Sequence, residues 1–274
     1  ISASKLKSMA VENPKRSGGL DVYDMPEKDH IYTMAVDVSR GLSHDYSAFV
    51  VFDCTKAPYK VVAKYRDNEI KPLLFPSIIE RVAKHYNKAF VLIEINDLGQ
   101  QVADNLQFEI EYDNVMMCTQ RGRSGQVLGG GFSGRGNQLG LRMTKGTKRI
   151  GTSNLKSLIE GDKLIINDFD IIAELSTFIS KGKSFQADAG STDDLVMCLV
   201  IFAWLANQRY FKELTDVDVR GQMFADQKNA IESDMAPFGF VADGLDESSF
   251  VDNDGDRWFL DEYGDRAYMW EYLS

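Results

Sequence analysis

The amino-acid sequence predicts a mixed α/β fold in which three antiparallel strands come first and helices flank the sheet. Val- and Tyr-rich runs follow one another early in the chain, and a helical pattern then leads into a strand that is apolar on both faces. Helices and strands alternate after that point. A strand that is apolar on both faces is typical of the parallel centre of a sheet reached through a crossover helix.

The first four strands define the predicted sheet. Short turn-rich links join strands at 31–38, 46–53 and 60–66, which gives an antiparallel meander. After two prolines, residues 77–86 carry apolar side chains at three- and four-residue spacing, which indicates a helix. The strand at 89–95 follows that helix and is expected at the sheet centre.

The remaining core elements continue the alternation. They are predicted as a helix at 99–110, a strand at 114–119, a helix at 152–161, a short strand at 163–167, and helices at 171–180 and 193–206. Three antiparallel strands followed by helix, strand, helix and strand is the order of a ribonuclease H-like sheet of the integrase type. The sequence therefore predicts such a domain at 30–210, preceded by a linker or N-terminal remnant of a longer chain at 1–29 and followed by an acidic extension at 211–274.

Length and composition limit the possible classes of protein. At 274 residues, 44% hydrophobic and 26% charged, the chain can bury one large core. It has no apolar stretch long enough to cross a bilayer and no signal-peptide pattern at its start, so no membrane partner is expected. The widely separated Cys54, Cys118 and Cys198 fit a reducing cytosol. Without paired cysteines, a metal site should use oxygen ligands and favour magnesium, manganese or calcium.

Acidic side chains stand at three points of this predicted architecture. Asp37 ends the apolar run of "MAVDVSRG", and the predicted topology places it beside Glu94 of "LIEIND". Asp193 and Asp194 of "STDDLVM" open the last core helix. Carboxylates crowded in an apolar core repel one another, and a divalent cation removes that conflict. Two such ions ~3.5–4 Å apart can hydrolyse a phosphodiester, so the four residues are predicted to be catalytic metal ligands.

Each of these carboxylates has a simpler explanation when it is taken alone. Asp37 could cap the following turn or pair with Arg40, and Asp193 and Asp194 suit the positive end of a helix dipole. Glu94 is harder to explain, because a glutamate in an apolar strand is rarely buried without a partner. Their joint occurrence favours the metal site. Helix periodicity alone does not choose between the two neighbouring aspartates.

Two other segments also carry charge. Asp45 is expected to cap the turn into the second strand, with a supporting role beside the metals as the less favoured alternative. Although the net charge is −10, residues 121–149 contain seven basic and no acidic residues, whereas sixteen acidic and four basic residues occur from Glu213 onward. The basic glycine-rich arm is predicted to contact DNA phosphates, through Arg121, Arg123, Arg135, Arg142, Lys145, Lys148 and Arg149. The alternative is a merely flexible loop.

Four sequence segments together resemble a known family. They are "VDVSRGLSHDYSAF", "VLIEINDLG", "GTSNLKSLIEGDKLII" and "DDLVMCLVIFAWLA". In this order they are similar to the C-terminal nuclease domain of the large terminase subunit of tailed bacteriophages, of the T-even-like type. The similarity extends over roughly residues 30 to 210.

The resemblance implies a function and a setting. It implies a Mg²⁺-dependent endonuclease, with Mn²⁺ as a possible substitute, that cuts concatemeric double-stranded DNA without strong sequence preference during viral genome packaging. It carries Asp37, Glu94 and one of the paired aspartates over as metal ligands, with Asp194 preferred to Asp193. The implied partners are an N-terminal ATPase domain of the same full-length protein, the portal and the small terminase subunit, in the host bacterial cytoplasm. The chain has no P-loop motif, so ATP hydrolysis is expected outside it.

Two other classes of function remain open from the sequence. "DVSRG" loosely imitates the phosphate-binding turn of actin-like and sugar-kinase ATPases, but those proteins need a second copy of the domain. A non-catalytic DNA-binding or assembly module could also keep this fold as a scaffold. The acidic repeat at 252–256 resembles a calcium loop, yet Arg257 stands where glycine is required, so it is interpreted as a chance match.

Overall fold

The computed structural model describes residues 1–39, 46–120, 125–129, 137–182 and 184–215, together with three short strands near the C-terminus. The chain forms two compact units, Ile1–Val217 and Asp218–Ser274. Asp45, Arg121, Arg123, Arg135 and the acidic repeat at 252–256 lie outside the described residues.

The first unit is built on a mixed sheet. Its strands are β1 (Lys15–Ser17), β2 (Leu20–Val22), β3 (Tyr32–Asp37), β4 (Ser47–Asp53), β5 (Tyr59–Asp67) and β6 (Phe90–Ile93), in the order β1-β2-β5-β4-β3-β6. Strands β3, β4 and β5 are antiparallel, and β6 runs parallel to β3. The predicted fold class is confirmed, because the three-strand meander and the parallel fourth strand are both present.

Helices cover both faces of this sheet. They are α1 (Ala3–Lys7), α2 (Phe75–His85), α3 (Gly99–Asp104, continued by a π-helical turn at Asn105–Glu109), α4 (Lys145–Glu160), α5 (Phe169–Thr177), α6 (Asp194–Leu205) and α7 (Arg209–Thr215). Alternate residues of β3 and β4 face opposite sides, as the pleat requires. Ala35 and Val50 pack in the core formed with α4, α5 and α6, whereas Met34 and Val51 pack in the core formed with α2 and α3.

Smaller strands complete the described structure. A three-stranded sheet contains β7 (Met117–Gln120), β8 (Gln126–Leu128) and β9 (Asn137–Leu139), β10 (Leu164–Ile165) pairs with β5, and a hairpin contains β11 (Phe178–Lys181) and β12 (Ser184–Ala187). In the second unit, β13 (Ser249–Val251), β14 (Arg257–Leu260) and β15 (Arg266–Tyr268) form an antiparallel sheet. No helix among the described residues is long and apolar enough to span a membrane.

The hairpin of β1 and β2 lies in the segment predicted as a linker. Leu20, Asp21 and Val22 pair with Tyr65, Lys64 and Ala63 of β5, so this part of residues 1–29 belongs to the main sheet. The two neighbouring glycines at its turn, Gly18 and Gly19, both have positive φ angles, which suits glycine. The domain boundaries at 29 and 210 otherwise stay a prediction.

Two helix boundaries differ from the prediction by three residues or more. The helix expected from 152 begins at Lys145, because Thr144 caps it by accepting a hydrogen bond from the Thr147 backbone N–H at 3.1 Å. The helix expected to reach residue 180 ends at Thr177 and is followed directly by β11. The early start of α4 was not predicted because Gly146 and Gly151 are poor helix formers and interrupt the helical pattern of the sequence.

Candidate metal centre

Asp37 and Glu94 stand on neighbouring parallel strands. Val36 of β3 is in register with Ile93 of β6, and the Glu94 N–H donates to the Val36 carbonyl at 2.9 Å. On its other side Glu94 pairs with Leu141, which anchors the segment leading into α4. The backbone of Glu94 is therefore held between β3 and the segment at Leu141, and its charge acts on Asp37.

Helix α3 begins in backbone contact with Glu94. A Cβ atom at Gly99 would lie 1.8 Å from the Glu94 carbonyl oxygen, so only glycine fits there. The Asn96 amide also joins this end of the sheet to the next segment: it donates to the Met143 carbonyl at 2.8 Å and accepts from the Met143 N–H at 3.1 Å. These contacts fix the loop that follows Glu94.

The other two predicted ligands lie at the start of α6. Asp193 is the N-cap residue, and Asp194 is the first helical residue. The Asp193 Oδ2 atom lies 3.7 Å from Lys148 Nζ, and the Asp194 Oδ2 atom lies 3.8 Å from the Arg66 guanidinium. Because α6 packs directly against β3, the helix start comes to the end of the strand that carries Asp37.

The other three predicted ligands act electrostatically on Asp37. Burial raises the pKa of Asp37 well above its usual range, and the charges of Glu94, Asp194 and Asp193 raise it further against the opposing charge of Lys148. Burial also raises the pKa of Glu94 to about 7, where Lys148 lowers it and Asp193 raises it. Each of these groups is harder to ionise because it is buried and has acidic neighbours.

The pKa of Asp194 is shifted for related reasons. Burial raises it to about 7, and the charge of Glu174 raises it further, whereas Arg66 and a hydrogen bond from the Tyr46 backbone N–H lower it. Its Oδ2 atom is buried and has no hydrogen-bond partner among the described residues. A buried carboxylate oxygen without a donor is costly and suits a cation as its partner.

The donor set fits a hard divalent cation, since all four residues offer carboxylate oxygens. In the structure their oxygens do not all lie within 4.8 Å of one another; among the described residues that closeness occurs at Asp21, Asp168 and Asp170. Lys64 occupies the middle of that second group, 2.6 Å from Asp168 and in contact with Asp170. Its ammonium group therefore neutralises the second group. At the site around Asp37, Lys148 lies 3.7 Å from Asp193 and lowers the pKa of Asp37 and Glu94, but both pKa values remain raised.

Four of the basic residues predicted to bind DNA are described, and they lie near this site. Arg142 follows Leu141, the partner of Glu94, and Lys145, Lys148 and Arg149 occupy the first two turns of α4. Arg142, Lys145 and Arg149 are exposed, and Lys148 is largely buried beside Asp193.

Sequence reasoning missed two residues that contact the site. Glu174 is buried in α5, and Arg66 at the end of β5 lies 3.3 Å from its Oε1 atom. A glutamate inside the apolar pattern "IIAELSTF" was a detectable signal. Arg66 gave no signal, because a basic residue near a strand end is ordinarily solvated.

Comparison with known proteins agrees with the fold. The family model for the terminase RNaseH-like domain matches residues 34–203. The large terminase nuclease of thermophilic phage G20c with bound magnesium is 21% identical, with a TM-score of 0.57, covering 75% of this chain and 96% of that one. The same nuclease with bound cobalt gives 21% identity and a TM-score of 0.56 over the same shares, 75% and 96%.

A second phage gives a similar result. The large terminase nuclease domain of Thermus phage P74-26 is 22% identical, with a TM-score of 0.53, covering 72% of this chain and 91% of that one. Identities this low establish a common fold, and the family match spans more than half of the chain. The chain therefore belongs to the terminase RNaseH-like domain family.

Proposed function

We propose that the chain is the endonuclease domain of a viral DNA-packaging terminase, which cuts concatemeric double-stranded DNA by two-metal-ion hydrolysis without strong sequence preference. The observation that carries the proposal is the grouping of Asp37, Glu94, Asp193 and Asp194 at one end of the sheet. The charges of the other three carboxylates raise the pKa of Asp37, and burial raises the pKa values of Asp37, Glu94 and Asp194. Metal-bound terminase nucleases with the same fold support a divalent cation.

Asp37, Glu94 and Asp194 would hold Mg²⁺, or Mn²⁺ in its place, with Asp193 beside them. Bound divalent cations polarise a phosphodiester and lower the pKa of an attacking water. The protein contributes fixed ligand positions: Asp37 ends a strand, Glu94 is paired on both sides, and Asp194 begins a buried helix. Ligands on strands and helices are placed more accurately than ligands on loops.

Basic residues beside these ligands would bind the DNA backbone. Lys148 faces the carboxylates, and the exposed Arg142, Lys145 and Arg149 continue away from them along the same segment. Arg121, Arg123 and Arg135 complete the proposed set. Contacts to phosphates carry no base information, which suits cutting without sequence preference.

The family membership supports a wider setting for the domain. In this proposal the nuclease domain occupies 30–210, and residues 211–274 form an acidic extension. An N-terminal ATPase domain of the same full-length protein drives DNA into the capsid through the portal, with the small terminase subunit as a further partner. DNA packaging and cleavage take place in the host bacterial cytoplasm.

A plasmid digestion assay tests the proposed function. Supercoiled plasmid is incubated with the chain in Mg²⁺, in Mn²⁺ and in excess chelator, beside Glu94→Gln as an inactive control. We expect supercoiled DNA to disappear only with a metal and only with the parent chain. Cleavage that persists in chelator would contradict the metal requirement. DNA binding without cleavage in either metal would favour a non-catalytic assembly module.

A further inference from the structure

The helix that carries Asp194 is capped from another helix. Asp193 stands at the N-cap of α6, where an aspartate ordinarily accepts hydrogen bonds from the amides of the first turn, yet its side chain makes no capping hydrogen bond. Instead the Leu195 and Val196 N–H groups donate to the Glu174 Oε2 atom at 2.9 and 3.1 Å. Glu174 belongs to α5 and is only 6% exposed.

A partly buried network neutralises Glu174 and continues to Asp194. Thr192 Oγ1 donates to the Glu174 Oε1 atom at 2.9 Å, and Arg66 Nη2 donates to Thr192 Oγ1 at 2.6 Å. The Arg66 guanidinium lies 3.3 Å from Glu174 and 3.8 Å from Asp194, and it stacks 3.9 Å above the Tyr46 ring. A buried charge that is hydrogen-bonded and paired in this way avoids the cost of an isolated one.

We propose that Glu174 is a positioning residue for the metal centre, with Arg66 and Thr192 holding it in place. Glu174 satisfies the first-turn amides of α6, so neither Asp193 nor Asp194 is needed as a cap and both carboxylates would remain available to a metal. A local cap would otherwise draw Asp193 onto its own helix. This inference rests on the proposed function.

The competing explanation is a purely structural ion pair, and the two make different predictions. A structural pair affects the free energy of unfolding and leaves metal binding unchanged in the folded protein. A positioning residue affects metal affinity even where the protein is fully folded, because outer partners of metal ligands change affinity or activity by about 10–100-fold.

The test measures Mn²⁺ binding to the whole chain by isothermal titration calorimetry, well below the unfolding temperature, and plasmid cleavage as a function of Mn²⁺ concentration. We expect Glu174→Gln to weaken Mn²⁺ binding by about 10–100-fold and to raise the half-saturating Mn²⁺ concentration by a similar factor. Glu160→Gln removes the same charge from an exposed position on α4 and should bind as the parent does.

A second pair of variants avoids the change in charge. Thr192→Val removes the hydroxyl that donates to Glu174 at nearly constant volume and should weaken Mn²⁺ binding several-fold, whereas Thr192→Ser keeps the hydroxyl and should restore it. If Thr192→Val and a folded Glu174→Gln both bind Mn²⁺ as tightly as the parent, the inference is overturned while the proposed function stands. A parent chain that neither binds Mn²⁺ nor cuts DNA would overturn both.

Discussion

Asp37 is held where its ionised form is unfavourable, because it is buried against three other carboxyl groups. We predict that Asp37→Asn reduces plasmid cleavage by at least about 100-fold. Loss of a residue that merely hydrogen-bonds a metal ligand already costs up to about 100-fold, and loss of the ligand itself should cost more. The same change should raise the melting temperature of the metal-free chain, by about 2–4 °C for each kcal/mol of repulsion removed. Cleavage at the parent rate would disprove the ligand role of Asp37.

The paired aspartates differ in their surroundings, so their substitutions should differ in effect. The Asp194 Oδ2 atom is buried and, in the part of the chain that the structure describes, has no hydrogen-bond partner, whereas the Asp193 side chain is more exposed. We expect Asp194→Asn to be nearly inactive and Asp193→Asn to keep more activity in the same plasmid assay. The opposite order would make Asp193 the principal ligand. Circular dichroism of both variants checks that each is folded.

At the scale of the elements, the packing of α4 on α6 depends on one glycine. A Cβ atom at Gly151 would lie 2.6 Å from the Val200 carbonyl oxygen, whereas among the described residues a Cβ atom at Gly146 would meet only the Thr144 hydroxyl, at 3.7 Å. Gly151→Ala should therefore destabilise the protein by about 1–3 kcal/mol, as overpacking usually does. Gly146→Ala in the same helix should stabilise it by up to about 1 kcal/mol. Urea unfolding of both variants measures the contrast, and equal stabilities would refute it.

The described part of the proposed DNA surface has three exposed basic residues: Arg142 just before α4, and Lys145 and Arg149 on α4. Changing Arg142, Lys145 and Arg149 together to Gln should weaken DNA binding similarly for unrelated sequences and reduce the salt dependence by roughly one unit of slope per lost contact. Fluorescence anisotropy at several salt concentrations measures both quantities. Lys84→Gln, an exposed change on α2, is the control. An unchanged slope would place the DNA on another surface.

For the whole molecule, stability should depend on pH in a definite direction. The pKa values of Glu94 and Asp194 are raised to about 7 in the folded chain, so the folded state keeps protons that the unfolded state releases above about pH 4. This contribution is complete below the unfolded pKa and is lost as the pH rises through about 7. We therefore expect the melting temperature of the metal-free chain to fall between pH 5 and pH 8.

Metal should reverse that loss, because a ligand that binds only the folded state stabilises it. Adding Mg²⁺ at pH 8 should raise the melting temperature of the parent more than that of Glu94→Gln. Differential scanning calorimetry at both pH values, with and without Mg²⁺, provides the comparison. If the melting temperature of the parent changes with neither pH nor Mg²⁺, the assignment of Glu94 and Asp194 as metal ligands is contradicted.

The sequence predicted what depends on local periodicity and on strand order. The meander and the closeness of Asp37 to Glu94 follow from apolar patterns and from the parallel pairing of β3 with β6. The central position expected for the strand at 89–95 was wrong, because β6 ends the order of named strands and its other side carries isolated bridges at Val91 and the adjacent Glu94. The sequence did not predict the contact between Glu174 and Arg66, because the two residues are more than a hundred positions apart in the chain. Nor did it predict the β1–β2 hairpin, because "KRSGGLDV" has little apolar alternation.

That hairpin has a consequence for any shorter version of the protein. One half of the outer side of β5 is covered by β2, and the other half is covered by β10. A fragment that starts at residue 30 would leave the amide and carbonyl groups near Ala63 and Tyr65 open to strands of other molecules, which is a recognised route to aggregation. Such a fragment would also lack Asp21, so the buried ammonium group of Lys64 would lose one of its carboxylate partners. A soluble fragment should therefore begin before Lys15.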